Sequence, residues 1–308
     1  MKNTNRTKLT YLLSYLLILF IALMLIACSE SVFQNEIGLD DQIIDSDGND
    51  PNQPEIKESG HNNRSTGENG SAEPEPVRDL PVIGIYSGAG SWDVNVEAFK
   101  RFFDHYGYQW AEFDENDAID MDLTANFDLL WFPGGFAAEY KNYISSHDNI
   151  RDFIENGGMF AGSCAGAYYA SDILRWLNED HEYPLKLFEG KAAGPLTGQI
   201  AWGEVANFIL LDNIPANADF EPQLPVYYFD GPYFSPYNDQ TITVLARYEV
   251  NNEPAVIAGR FGEGSYLLFG PHPELGGYSS SSPDFNLDGG EGAQWPWLNS
   301  VLTWFYMW

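Results

Sequence analysis

Downstream of residue 80, apolar and polar positions alternate in short blocks that predict a succession of strands and helices. Pro81-Val82-Ile83-Gly84-Ile85-Tyr86 is an apolar run too short for a helix, and it ends in Ser87-Gly88-Ala89-Gly90-Ser91. That is the pattern of a buried strand followed by a glycine-rich turn. Residues 94–106 place Val96, Phe99, Phe102 and Phe103 on one face of a helix. A second buried strand over 127–132 is stopped by Pro133-Gly134-Gly135. Asp148 stands where it would cap a helix running through Asn156 and ending at Gly157-Gly158. Met159-Phe160-Ala161 then reads as a third short strand, followed by Gly162-Ser163-Cys164-Ala165-Gly166 and a helical Ala/Tyr stretch. Strands alternating with helices predict an α/β domain, its mainly parallel sheet covered on both faces. All three glycine-rich turns follow strands, so they are expected to gather at the carboxyl edge of the sheet, where sites form.

Past residue 174 the pattern becomes more strand-like, with strands expected over 199–204, 226–229, 241–248, 255–260 and 264–269. The last two are joined by Phe261-Gly262-Glu263, a hairpin signal. Residues 295–308 are mostly apolar and read as a closing helix. No linker composition interrupts 80–308, which is taken as one domain.

The front of the chain is different. Lys2, Arg6 and Lys8 precede an uncharged, mainly apolar run over 11–27, shorter than the ~20 residues of a typical membrane-spanning helix. Leu25-Ile26-Ala27-Cys28 resembles the lipobox of bacterial lipoprotein signal peptides. The resemblance implies that residues 1–27 are removed and that Cys28 carries the lipid; an uncleaved N-terminal anchor helix is the alternative. Either way the domain is expected in the bacterial cell envelope, outside the cytoplasm and held to a membrane. Residues 29–79 hold thirteen Asp and Glu against three Lys and Arg, a composition that cannot bury enough apolar surface to fold, so 28–79 reads as a disordered acidic tether. Its segment Asp45-Ser46-Asp47-Gly48-Asn49-Asp50 resembles a calcium loop, but Ile56 stands where an EF-hand needs Glu, so it stays with the tether.

Charge narrows the partners. The formal net charge is −30, from 45 acidic and 15 basic residues. That balance argues against nucleic acid, whose phosphates need cations to displace their counterions. It argues equally against a loose electrostatic grip on anionic lipid. The only cysteines are Cys28 and Cys164, which excludes a multi-disulfide framework.

The candidate chemistry sits where a strand meets a helix. Gly162-x-Cys164-x-Gly166 is the cysteine counterpart of the G-x-S-x-G nucleophile elbow, whose glycines permit a turn that pushes the nucleophile out of the backbone. The next amide, on Ala165, opens a helix, where it favours a thiolate and can donate to a developing oxyanion. A small buried cysteine at a tight turn is the structural alternative. Gly270-Pro271-His272-Pro273-Glu274 directly follows the strand over 264–269. Residues two apart in an extended segment point the same way. One imidazole nitrogen of His272 could therefore accept the Cys164 proton while Glu274 holds the other, the nucleophile–base–orienter logic of covalent acyl chemistry.

These residues resemble the class I glutamine amidotransferase-like superfamily, which has a cysteine elbow, a later His-Pro-Glu and a Pro-Gly-Gly loop after an earlier strand. The matches here are Cys164, His272-Pro273-Glu274 and Pro133-Gly134-Gly135. Within the superfamily the likeness is to the domain called biotin-protein ligase N-terminal. It rests on Tyr86-Ser87-Gly88, Phe132-Pro133-Gly134-Gly135, Gly162-Ser163-Cys164-Ala165-Gly166-Ala167-Tyr168 and Gly270-Pro271-His272-Pro273-Glu274. The resemblance implies a flavodoxin-like three-layer fold and a second oxyanion donor at the Gly135 amide beside that of Ala165. Glutamine amidotransferases carry Gln two residues after the second elbow glycine; Tyr168 stands there, which argues against glutamine as substrate. No synthase or ligase domain is recognised, so biotin ligation is not expected.

Gly134, Tyr168, Ser87, Gly88 and Tyr228 are the expected pocket residues; Tyr227, Asp230 and Gly231 read equally as pocket or packing. His61, His105, His147 and His181 have no ligand-like spacing and read as surface histidines, so neither a metal nor a cofactor is expected. The acidic, glycine-rich stretch 284–291 reads as a solvated loop, and Trp295, Trp297, Trp304, Tyr306 and Trp308 as core. Two functions compete: a cysteine amidohydrolase or acyl-transfer enzyme acting through a thioester on a small-molecule or peptide amide, and an inactive ligand-binding or scaffold lipoprotein using the same pocket. A stress hydrolase of the intracellular-protease-like branch is a weaker third, because that branch places His directly after the nucleophile, where Ala165 stands.

Overall fold

In a computed structural model of the chain, the described residues are 80–277, 285–287, 289 and 292–308. The N-terminal address with Cys28, the acidic tether with His61 and residues 45–50, and part of the 284–291 loop lie outside them.

The front half of the domain repeats one theme: an apolar strand, a turn, and a helix laid back on the sheet. β1 (Val82–Tyr86) leads into α1 (Asp93–Tyr106), whose end is closed by Gly107 in the left-handed region, its N–H donating to the Asp104 and Phe103 carbonyls. β2 (Gln109–Phe113) is followed by two short helices, α2 (Glu115–Asp120) and α3 (Leu123–Asn126), started by side-chain caps from Asp114 and Asp122. β3 (Leu129–Phe132), α4 (Ala137–Tyr143), α5 (Asp148–Glu155), β4 (Met159–Ser163) and α6 (Ala165–Ala170) complete this half. Asp148 does not cap α5 as expected: His147 holds the cap position without a side-chain bond, and Asp148 is the first helical residue, where its charge complements the helix dipole.

The back half is built of strands. β5 (Ser171–Trp176), β6 (Glu179–Glu182), β7 (Phe188–Gly194), β8 (Glu204–Leu210), β9 (Gln223–Tyr228), β10 (Tyr233–Pro236), β11 (Ile242–Tyr248), β12 (Pro254–Phe261) and β13 (Gly264–Phe269) precede the closing helix α7 (Trp295–Met307). The strand expected over 199–204 is a turn, because Ile200 and Gln199 donate back to the Leu196 carbonyl and Gly203 is left-handed; pairing starts only at Glu204.

The main sheet runs β2-β1-β3-β4-β13-β12-β11-β8-β9. Neighbours from β2 to β13 pair in parallel, and those from β13 to β9 pair antiparallel. The expectation of a mainly parallel sheet is thus corrected to a mixed one. The physical reason is connection length: parallel neighbours need crossover helices, whereas β12 and β13 turn directly through Gly262-Glu263. A second sheet, β10-β7-β5-β6, lies alongside and puts Phe188 and Phe234 into the same core as Tyr266.

Two cores flank the main sheet. On β3, Leu129 and Trp131 face the core of α1 and α7, while Leu130 and Phe132 face that of α5 and α6. Trp131 lies 4.3 Å from Phe99, ring centre to ring centre, and truncating either buried ring would cost about 3–5 kcal/mol. Trp295 and Trp297 are core, as expected; Trp304 and Tyr306 are only partly buried, and Trp308 is exposed. His147 is not a surface histidine, because its Nδ1 pairs with the Tyr169 hydroxyl at 2.6 Å. Among the described residues no helix is long and apolar enough to cross a membrane.

Candidate active site

Cys164 stands between β4 and α6 with φ 48° and ψ −102°, a conformation costing an L-residue about 1–3 kcal/mol. The backbone around it enforces that turn. Its N–H donates to the Phe269 carbonyl at 2.9 Å, its carbonyl accepts from Tyr168 N–H at 3.0 Å, and Gly166 N–H donates to the Pro133 carbonyl at 3.2 Å. The spacing of glycines follows from packing. A Cβ on Gly166 would collide with the Phe132 carbonyl oxygen, and one on Gly162 would lie 2.6 Å from the Gly166 carbonyl carbon. The elbow therefore needs both glycines for close backbone approach.

His272 is delivered from late in the chain by the segment that follows β13, the parallel neighbour of β4. Its N–H donates to the Tyr227 carbonyl at 3.0 Å, so the segment after β13 is tied to the end of β9. Nδ1 lies 2.8 Å from Glu274 Oε1, and both side chains are completely buried. The same carboxylate oxygen accepts from Asn95 Nδ2 at 2.8 Å, and Trp295 Nε1 donates to the Glu274 carbonyl at 2.9 Å. His272 Nε2 has no hydrogen-bond partner among the described residues. With Nδ1 donating to Glu274, Nε2 is the nitrogen left for proton exchange. Burial opposes a charged imidazole here, but the Glu274 carboxylate and the neighbouring Cys164 outweigh it and raise the His272 pKa to about 10. The thiol itself donates to the Phe229 carbonyl at 3.4 Å.

Two backbone amides face the same space. Ala165 opens α6 and Gly135 follows β3; neither donates to an acceptor among the described residues, and both border the cavity. Gly135 has φ 151°, and a side chain on it would strike the Gly90 carbonyl. The loop is pinned by Trp92 N–H on the Gly134 carbonyl (2.9 Å) and Phe136 N–H on the Gly90 carbonyl (2.7 Å). An amide without an acceptor on a cavity wall is free to donate to a ligand oxygen.

A cavity of about 800 Å³ opens over Cys164, Ala165 and His272. Of the expected pocket residues only Tyr168 lines it, its hydroxyl donating to the Asp230 carbonyl at 3.0 Å. Gly134 lies behind the imidazole, where a Cβ would strike the ring. Ser87 and Gly88 are held by backbone bonds in the β1 turn, from Ser87 N–H to the Phe113 carbonyl and from Ser91 N–H to the Gly88 carbonyl. Tyr228 is fully buried, its hydroxyl bonded to the Gly231 carbonyl and the Leu196 amide. Three rings that line the cavity, those of Trp92, Trp202 and Phe229, escaped the sequence reading. Asn95 escaped it too, although a signal was present: a lone amide four residues before Phe99 on the apolar stripe of α1. Among the described residues no three His, Cys, Asp or Glu side chains come together to hold a metal ion.

Residues 83–287 match the family described as biotin-protein ligase, N terminal, and the chain belongs to that family. It is 28% identical over 164 residues to the biotin–protein ligase of Schizosaccharomyces pombe, covering 48% of this chain and 25% of the ligase. It is 28% identical over 156 residues to an uncharacterized protein of Chlamydia muridarum, covering 47% of this chain and 60% of that one. The match therefore spans less than two thirds of either relative. Among solved structures, a glutamine amidotransferase superposes with a TM-score of 0.48 at 16% identity, over 71% of this chain and 96% of that one. A glutamine amidotransferase from Thermotoga maritima gives 0.45 at 13% identity, over 65% and 78%.

Proposed function

We propose that the domain is a cysteine amidohydrolase or acyl-transfer enzyme working through a thioester, with Cys164 as nucleophile, His272 as base and Glu274 as orienting carboxylate. The observation that carries this reading is the buried 2.8 Å contact of His272 Nδ1 with Glu274, which leaves Nε2 without a partner on the cavity floor beside the strained Cys164. With its raised pKa His272 already holds the thiol proton on Nε2 at neutral pH, so Sγ attacks the carbonyl carbon of an amide as the thiolate. The oxyanion is met by the Ala165 and Gly135 amides. Collapse breaks the C–N bond, and the imidazolium returns the proton to the leaving amine. Water or a second nucleophile then gives its proton to Nε2 and opens the thioester, releasing the thiol.

The test is site-resolved alkylation of the full chain by iodoacetamide, followed by mass spectrometry of the Cys164 peptide. Rapid labelling at neutral pH that slows by at least tenfold in His272→Ala supports the reading, since the thiolate is the reactive form. Equal, slow labelling of both proteins sinks it. The bond from Sγ to the Phe229 carbonyl favours one second reading, a ligand-binding lipoprotein with an idle thiol; that same slow labelling is what it expects. We further infer, from Lys2, Arg6, Lys8 and Leu25-Ile26-Ala27-Cys28, that Cys28 is lipidated and holds the domain to a membrane of the bacterial envelope. Loss of radiolabelled palmitate from Cys28→Ala tests that step.

A further inference from the structure

Among the described residues Asp230 is the one carboxylate on the cavity wall. It follows Phe229, whose carbonyl is the group the Cys164 thiol touches, so it stands close to the reacting centre. Its φ is 59°, a left-handed conformation that Asp and Asn tolerate better than most residues. The loop is fixed in that shape by Tyr168, whose hydroxyl bonds the Asp230 carbonyl. The side chain is half-buried, yet its carboxylate has neither a hydrogen bond nor a cation among the described residues. Burial accordingly pushes the Asp230 carboxyl pKa up.

The other charged side chains of the cavity are already engaged. Lys141 donates to the Glu182 carbonyl at 2.9 Å and lies 5.1 Å from the Tyr183 ring centre. His272 is paired with Glu274. Aromatic rings share the cavity wall with Asp230: Tyr168 packs against Trp176 at 5.9 Å, and Phe229 against Trp202 at 5.0 Å and Trp92 at 5.5 Å. Trp202 and Trp176 are 54% and 38% exposed, so the rings reach the cavity mouth. A carboxylate with no partner among the described residues, on a wall that also carries several rings, is a site for an organic ammonium, which can gain both a charge-assisted hydrogen bond and cation–π attraction. The net charge of −30 would draw such a cation in.

We propose that Asp230 is a specificity residue that binds a protonated amine on the substrate, so that the enzyme acts on amides whose acyl part carries a free ammonium within a few bonds of the scissile carbonyl, next to an apolar or aromatic group. This rests on the thioester reading for the reaction but not for the binding. An aminoacyl amide with an aromatic side chain offers both an ammonium for Asp230 and a ring for the aromatic wall, whereas glutamine offers only the ammonium.

The test separates binding from turnover. In the full chain carrying Cys164→Ala, binding of phenylalanine amide and of N-acetylphenylalanine amide would be measured by calorimetry, before and after Asp230→Asn. Asn keeps the left-handed backbone and the size while removing the charge. The expected result is that the free amine binds and the acetylated one binds about tenfold more weakly or worse. Asp230→Asn should weaken the amine by a similar factor and leave the acetylated probe unchanged, which is the loss of one charge-assisted hydrogen bond. Equal binding of the two probes, no binding of either, or no effect of Asp230→Asn overturns the proposal. Turnover of phenylalanine amide by the unmodified chain reports on the reaction separately: selective binding without release of ammonia discards the enzyme and keeps the amine site.

Discussion

The two halves of the main sheet contribute to the site in different ways. The parallel half, β2-β1-β3-β4-β13, supplies backbone: the strained Cys164, the Ala165 amide and the Gly135 amide, each at the carboxyl end of a strand. The antiparallel half supplies surroundings. The end of β9 holds His272 through the Tyr227 carbonyl and carries Phe229 and Asp230, and the turn before β8 presents Trp202. Reactive geometry here is a consequence of short-range chain stereochemistry, and the recognition wall is a consequence of which loops a mixed sheet brings together.

The largest expected effect is on the parallel side. Cys164→Ala should abolish alkylation of that peptide and any turnover while leaving the circular dichroism spectrum unchanged; residual turnover would show that the elbow is not the source of reactivity. Gly166→Ala should cost at least about 3 kcal/mol or prevent folding, because the added methyl meets the Phe132 carbonyl. A urea midpoint close to wild type would mean that the elbow backbone can relax.

At the junction of the halves, Asn95→Ala removes one of the two groups that hold Glu274 Oε1. It should cost about 1–3 kcal/mol, the range for unsatisfying a buried acceptor, and should slow Cys164 alkylation less than His272→Ala does. Equal rates for Asn95→Ala and wild type would show that His272 needs no orientation by α1.

The His272 pKa also sets a pH dependence. It is raised to about 10 in the fold, against about 6.5 unfolded. The charged pair therefore stabilises the protein fully below about pH 6.5, and that contribution is lost as pH rises toward 10. Urea midpoints between pH 7 and 8.5, where few tyrosines have ionised, should fall in wild type and flatten in His272→Gln. Parallel slopes would break the assignment of a buried imidazolium.

The smallest effect belongs to the antiparallel wall. Trp202 is more than half exposed, so Trp202→Ala should change stability by less than about 0.5 kcal/mol. It should still weaken phenylalanine amide in the calorimeter, and a drop in stability instead would make Trp202 part of the scaffold.

Much of the parallel half was legible because its signals are local. Gly162 and Gly166 are demanded by a turn of five residues, and His272 and Glu274 do meet, although 273–274 form a turn rather than the extended segment expected. The antiparallel half was less legible. Residues 199–203 carry apolar character, yet the Leu196 carbonyl closes them into a turn. Outside that half, β2 at the parallel edge and β5–β7 and β10 of the second sheet also went unannounced. β6, Glu179–Glu182, is fully exposed and carries no apolar alternation at all; it exists because it pairs with β5. Asn95 stood in plain view on the α1 stripe, but the carboxylate that explains it lies 179 residues away.

What the sequence determined by itself is the Cys164, His272 and Glu274 set proposed as a triad, the glycines that shape the Cys164 turn and the α/β alternation of the first half, since each rests on residues close together in the chain. What the tertiary structure decided is which cavity those residues face. Ser87, Gly88 and Tyr228 were turned to backbone and core contacts, and Trp92, Trp202 and Asp230 were brought to the wall. Strand order and loop closure act over the whole chain, and no local pattern records where a hydrogen-bonded neighbour will come from.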